Sequence, residues 1–265
     1  MKKTKTYLEF GKEEGKKKFV YDKREDQEAY DFFMIARYLK DMIGYRTGNV
    51  KKIHHKEDLE DNIKKYSALS VCKNFSRYLV YYEVGSTVMG VIDSLEYINK
   101  KFRKLKVKDI TFIGVDNSDM MNRVALYTHE SYKLKLYNKI KISKCSLFFA
   151  KGVSLLYAFD DEKLFCDVLK ISDIAIFDYT FSLKGNLKDF VGTGKAVTYL
   201  SLDKCKEYLK YKNKELFLKP SNRIKNTDNN KATFECVYGE KLLIKKYFEE
   251  LGANLKKFSL PVDDK

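Results

Sequence analysis

The order of segments along the chain predicts an α/β fold: a doubly wound, mostly parallel sheet preceded by an N-terminal helical segment. Three observations predict it. Short apolar runs rich in Val, Ile, Phe and Tyr recur near residues 78–84, 110–115, 145–150, 173–178 and 196–202. Between them lie segments with apolar residues at three- and four-residue spacing, near 90–104, 118–130, 153–158 with 160–170, and 203–211. Such alternation requires crossover connections, which make neighbouring strands parallel and cover both sheet faces with helices. The third observation is how the first strand ends. The run Val80-Tyr81-Tyr82-Glu83-Val84 breaks at Gly85-Ser86, directly before a helical segment. A glycine there lets backbone approach a ligand, and the helix behind it presents free N–H groups.

Taken in order, residues 1–20 read as a short strand or arm, Tyr7-Leu8-Glu9-Phe10, and a Gly/Lys loop. Tyr30, Phe33, Met34, Ala36, Tyr38, Leu39 and Ile43 have helical spacing, and Gly44-Tyr45-Arg46-Thr47-Gly48 reads as a turn. A second helix is expected over Lys56 to Leu69 and a third from Val71 to about Tyr78. Residues 1–75 thus form an N-terminal helical cap, and 76–265 the sheet domain. In the latter, Ser172-Asp173-Ile174-Ala175-Ile176-Phe177-Asp178 has the continuous apolar character of a buried strand and ends in an acid. Residues 222–231 are polar and loop-like. A strand from Ala232 to Tyr238, a helix opened by Gly239-Glu240 and running to Leu251, and a last strand from Leu255 to Leu260 complete the chain.

Composition narrows the function. No apolar run reaches the 18 residues of a membrane span, and the start, Met1-Lys2-Lys3-Thr4-Lys5, leads into no apolar signal region. Cysteines 72, 145, 166, 205 and 236 are odd in number and widely spaced, which predicts buried free thiols in a reducing, cytoplasmic setting. The formal charge is +15, which attracts anions in general. Only seven of the 52 basic residues are Arg, however, and bidentate recognition of phosphates and bases prefers Arg. The lysines are also dispersed rather than gathered in one tail. Nucleic acid is therefore a possible partner but not the favoured one.

A second strand, Ile110-Thr111-Phe112-Ile113-Gly114-Val115, is followed by Asp116-Asn117-Ser118-Asp119-Met120-Met121. Together with Glu83-x-Gly85-Ser86, this sequence resembles motifs I and II of class I S-adenosylmethionine-dependent methyltransferases, a Rossmann-like family. The resemblance spans roughly residues 75–265. It implies S-adenosyl-L-methionine as cofactor. Glu83, Gly85 and Ser86 would lie at its methionine end, Asp116 with Asn117 would hold the ribose hydroxyls, and one of Met120 or Met121 would pack on adenine. Lys151 and Gly152, in the loop after the 145–150 strand, would contribute backbone groups to adenine. The glycine pattern departs from the family's: Thr87 and Met89 stand at the second and third glycine places.

For the acceptor, the resemblance points to Asp178-Tyr179-Thr180-Phe181. The family's amino-methyltransferases carry Asp/Asn-Pro-Pro-Tyr/Phe at the end of the fourth strand. Asp178 and Tyr179 are thus the catalytic candidates and Phe181 a substrate-stacking one, with both prolines replaced. His129, in Tyr127-Thr128-His129-Glu130, could bind substrate and take a proton from an acceptor hydroxyl. His54-His55 lacks acidic or thiol partners at ligand spacing, so no metal site is expected. Gly192-Thr193-Gly194-Lys195 fails the phosphate-loop pattern, since Asp189 and Ala196 stand where Gly and Ser/Thr belong. The functional expectation is methyl transfer to an oxygen or nitrogen of a small molecule. Two alternatives are methylation of RNA or DNA, and a non-catalytic binding protein whose Thr87 and Met89 fill the cofactor space.

Overall fold

The computed structural model describes residues 56–84, 88–115, 133–137, 144–150, 161–190, 196–221 and 229–258. Nine strands are described: β1 (Leu79–Val84), β2 (Ile110–Val115), β3 (Lys133–Tyr137), β4 (Cys145–Ala150), β5 (Ser172–Ser182), β6 (Leu187–Phe190), β7 (Ala196–Tyr199), β8 (Lys214–Pro220) and β9 (Lys231–Glu240). The described helices are α1 (Lys56–Lys73), α2 (Val88–Phe102), α3 (Glu162–Lys170), α4 (Leu202–Leu209) and α5 (Lys241–Lys257). Seven strands form one sheet in the order β3-β2-β1-β4-β5-β9-β8. The first five are parallel, and β9 runs antiparallel to both β5 and β8. The α/β, doubly wound, mostly parallel architecture expected from the sequence is the one observed.

Period-two alternation along the strands sorts side chains onto two cores. On one face Tyr81, Phe112, Leu147, Ile174 and Ile176 pack with α1, α2 and α5. On the other Tyr82, Phe148, Ala175, Phe177 and Tyr179 pack with α3, α4 and the small sheet. Two helices on the second face carry the start signals their sequences suggest. The Asp161 carboxylate accepts the N–H of Leu164 at 2.9 Å, and the Ser201 hydroxyl accepts that of Lys204 at 3.4 Å.

Several expectations are corrected. The segment 56–78 holds one helix, Lys56–Lys73, and a short turn leading into β1, not two helices. This helix, α1, is no loose cover, because almost every residue from Asp61 to Cys72 is buried against β1, β4, β5 and the flanking α2 and α5. The 196–202 strand does not extend the main sheet; β7 pairs with β6 in a separate two-stranded sheet. The places beside β5 are filled instead by β9 and then β8, whose charged first residues and closing Lys-Pro hid its strand character. Leu255–Leu260 does not form a last strand, since α5 continues through Gly252 to Lys257. A glycine inside a helix costs about 1 kcal/mol, and burial of the Leu255 side chain beyond it offsets that cost. The Asn254 amide also donates to Ser67 Oγ at 2.9 Å and Glu250 Oε1 at 3.1 Å, tying α5 to α1.

The 133–137 segment was not expected to be a strand. As β3 it pairs in parallel with β2 at the sheet edge. Its presence makes Cys145–Ala150 the fourth strand and Ser172–Ser182 the fifth.

Candidate functional site at the strand ends and the adjoining cavity

In an open parallel sheet, ligands bind beyond the carboxyl ends of the strands, where the strand order reverses. Here that point lies between β1 and β4, since β2 and β3 continue to one side and β5 to the other. Val84 is in register with Val115 on β2 and with Ala150 on β4. Three adjacent strands therefore end at one level. The residues that follow them in sequence are Gly85-Ser86, Asp116-Asn117 and Lys151-Gly152, the three segments singled out for cofactor binding. Those six residues, with Met121 and His129, lie outside the described residues.

Glu83 is described, and it is 3% exposed. Its Oε1 accepts from Lys65 Nζ at 2.8 Å, and its Oε2 accepts from the Tyr81 hydroxyl at 2.5 Å. Both carboxylate oxygens are thus held from within the protein, by α1 and by β1 itself. The Lys65 ammonium also lies 4.4 Å from the centre of the Phe149 ring. A buried carboxylate is tolerated only with such compensation. The acid two residues before Gly85 is therefore locked in place beneath the strand-end crevice. Burial, reinforced by the neighbouring Glu83 charge, holds the Tyr81 phenol well above its usual range, so Tyr81 remains a donor to Glu83.

Beside this lock, on the same sheet face, is a cavity of about 560 Å³ between α1, α5 and strands β4, β5, β8 and β9. Phe149 and Ala150 from the end of β4 belong to its wall, which is otherwise mainly apolar: Ile176, Phe217, Val237, Phe248 and Leu251. Its charged lining among the described residues is Glu60, Asp61, Asp178 and Glu235 against Lys64 and Lys219. Lys64 Nζ sits 3.1 Å from Glu60, 3.8 Å from Asp61 and 3.4 Å from Glu235. Burial works to lower the pKa of Lys64, but the charges of Asp61, Glu235 and Glu60 outweigh it and the net shift is upward.

Asp178, Tyr179 and Phe181 are separated by the pleat. The strand does not end at Asp178 but continues to Ser182, and Asp178 is paired in register with Glu235 on β9. Asp178 lines the cavity. Tyr179 and Phe181 point into the opposite core and are 1% and 0% exposed. The Tyr179 ring stacks on Phe165 at 5.0 Å and meets Phe181 at 4.7 Å, and its hydroxyl donates to the Thr198 carbonyl at 3.4 Å. Burial drives the Tyr179 phenol far above its ordinary pKa, so it keeps its proton at neutral pH. Asp178 thus lies within the fifth strand, not at the end of the fourth, which closes at Ala150. Lys64, Lys65 and Glu235 were not anticipated. The first two stood in a segment read as a cover, and Glu235 meets Asp178 only through the β5–β9 register. Among the described residues, no cluster of His, Cys, Asp or Glu could hold a metal ion, and no helix is long and apolar enough to cross a membrane.

No family model matches the sequence, and no curated protein matches it. Solved structures do match. The N-terminal domain of EvdMO1, crystallised in the presence of SAH and D-fucose, is 11% identical with a TM-score of 0.42, over 71% of this chain and 84% of that one. A TehB-like SAM-dependent methyltransferase from Corynebacterium glutamicum is 11% identical with a TM-score of 0.36, over 66% and 88%. The CcbJ methyltransferase from Streptomyces caelestis is 12% identical with a TM-score of 0.38, over 68% and 95%. At such identities and scores these remain distant likenesses, and no residue role is carried over from them.

Proposed function

We propose that this chain is a methyltransferase that binds S-adenosyl-L-methionine and methylates an oxygen or nitrogen of a small-molecule acceptor. The observation that carries the reading is the common level of Val84, Val115 and Ala150 at the point where strand order reverses. The Gly85-Ser86 turn, the Asp116-Asn117 pair and the Lys151-Gly152 loop follow those three residues directly. In this reading Gly85 and Ser86 give backbone access to the methionine end, and Asp116 accepts hydrogen bonds from the ribose diol with Asn117 beside it. Met121 covers adenine, whose edge is met by backbone at Lys151 and Gly152.

When bound, the cofactor supplies a methyl group on a sulfonium, which is already a good leaving group. The protein must then place the acceptor in line and, for a hydroxyl, remove a proton. A cavity of about 560 Å³ adjoining the end of β4 is in the size range of small-molecule sites. Asp178 is the proton-accepting candidate on its wall. With Tyr179 and Phe181 packed in the opposite core, Asp178 alone of that trio is retained at the acceptor. Calorimetric titration of the full chain with S-adenosylmethionine and S-adenosylhomocysteine tests the reading. Saturable binding of both is expected, and no heat for either at millimolar concentration would end it.

A further inference from the structure

Folding gathers at one edge of the sheet lysines that the sequence disperses. The amino ends of β1, β2, β4 and β5, the start of β8 and the end of β9 all lie at the edge opposite the strand-end crevice. The segments flanking these ends are 73–78, 103–109, 144, 170–173, 206–214 and 240–246, and they hold fifteen Lys and Arg against four Asp and Glu. Over the whole chain the balance is 52 against 37, so this edge is far more basic than the protein. Two of the four acids, Asp173 and Glu240, lie in the field of the Lys214 ammonium.

The same edge exposes aromatic rings. Phe75, Tyr78, Tyr208 and Tyr211 are 50%, 61%, 44% and 63% exposed, although aromatic bodies gain most from burial. Three of them carry a cation. Lys246 lies 4.7 Å from the centre of the Phe75 ring, Arg77 lies 5.7 Å from Tyr78, and Lys170 lies 5.7 Å from Tyr208. The fourth, Tyr211, stands between Lys210 and Lys212. Its segment is held to α5 by the Lys241 N–H, which donates to the Asn213 carbonyl at 3.0 Å. Strands β1, β4, β5, β9 and β8 are successive, so Tyr78 and the Tyr211 segment stand four strand spacings apart, roughly 19 Å.

We propose that this edge binds single-stranded nucleic acid, with bases stacked on Tyr78, Tyr208 and Tyr211 and phosphates taken by the neighbouring cations. Sequence-tolerant binding of this kind needs exposed rings and point charges along a backbone, so Lys serves where bidentate geometry is not required. A duplex hides its base faces and offers phosphates alone. An anionic membrane also attracts lysines, but its binding needs apolar rings to sink below the cations, and here the cations lie against the rings. The edge is remote from the crevice, so the inference does not rest on methyl transfer.

The test measures fluorescence anisotropy of the full chain with labelled oligothymidylate and oligouridylate of about twenty nucleotides and with a duplex of the same length, between about 50 and 200 mM salt. Both single strands are expected to bind at least about tenfold more tightly than the duplex. Tyr78→Ala with Tyr211→Ala should weaken single-strand binding about tenfold or more while leaving the salt dependence unchanged. Lys212→Gln with Lys241→Gln should instead reduce the slope of log affinity against log salt by about 1.4. All four residues are exposed, so the thermal midpoint of each variant should stay at the wild-type value. Lys163→Gln with Lys184→Gln removes two exposed charges near the carboxyl edge and should change affinity less than about twofold. Failure of the wild type to bind either single strand, equal affinity for the duplex, or unchanged affinity in the tyrosine variant overturns the inference. So does an equal loss in the Lys163, Lys184 variant, which would place the nucleic acid at the crevice end. Vesicles of phosphatidylcholine with about one-third phosphatidylserine are tested by cosedimentation. Binding to them without binding to the oligonucleotides would assign the edge to a membrane surface and also overturn the inference.

Discussion

Replacing Lys65 by methionine removes one charge from the buried Lys65–Glu83 pair while retaining most of the side-chain stem. The two side chains are 8% and 4% exposed and 2.8 Å apart. Water cannot take over the lost ammonium, and Tyr81 is left as the remaining described donor to the carboxylate. Breaking a buried pair from one side typically costs about 3–5 kcal/mol, whereas an exposed pair is worth under about 1 kcal/mol. The contact of the ammonium with the Phe149 ring at 4.4 Å adds to the loss. For a chain of this size, each kcal/mol moves the thermal midpoint by roughly 2–4 °C, so Lys65→Met should lower it by about 6–20 °C. The double variant Lys65→Met, Glu83→Gln removes both charges and leaves a neutral acceptor for Tyr81. It should recover most of the loss, giving a coupling energy of roughly 2 kcal/mol or more in a double-mutant cycle. Urea unfolding followed by circular dichroism measures all four proteins. A Lys65→Met cost below about 1 kcal/mol, or additive single losses, would refute the argument that this pair is a desolvated lock.

Asp116→Ala should weaken S-adenosylmethionine binding roughly ten- to hundredfold with no change in unfolding midpoint, since it removes a charge-assisted acceptor for a diol; wild-type affinity would show that the crevice is assigned to the wrong loop. Gly239→Ala should destabilise the protein by about 1–3 kcal/mol in urea unfolding, because a Cβ there would lie 2.4 Å from the backbone oxygen of Asp173 on β5 and would force the strands apart. All five cysteines are buried, and burial pushes the Cys145 thiol up to about 12 and the Cys72 and Cys236 thiols upward as well. The thiolate is the reactive form, so a chromogenic disulfide reagent at pH 8 should leave the native protein essentially unmodified and titrate all five thiols in guanidinium; rapid native labelling would contradict the packing of both cores.

The strands that carry the crevice were legible in the sequence because their signals are local. Tyr81–Val84, Ile110–Val115 and Cys145–Ala150 are predominantly apolar runs, interrupted by single polar residues such as Glu83, and strands buried on both faces need little more to be recognised. The break at Gly85 and the acid at Asp116 are likewise properties of a few adjacent residues. Pairing is not local. That Val84 ends level with Val115 and Ala150, and that Asp178 faces Glu235, depends on register between residues up to 66 positions apart. The short β3 and β8 were missed because five to seven residues, alternating Lys and Leu in β3 and flanked by Lys, Glu and Pro in β8, read equally well as exposed loop. The fate of α1 shows the same division. Its sequence, Lys56-Glu57-Asp58-Leu59-Glu60-Asp61-Asn62, looks solvated, yet the fold buries Asp61, Asn62 and Lys65 by giving charged and polar groups partners from β1 and the helix itself. By itself the sequence determined the doubly wound sheet and the loops at its carboxyl edge, since hydrophobic period and glycine placement act within one element. Only the tertiary structure decided which charges share a cavity, because a partner for a buried charge can come from anywhere in the chain.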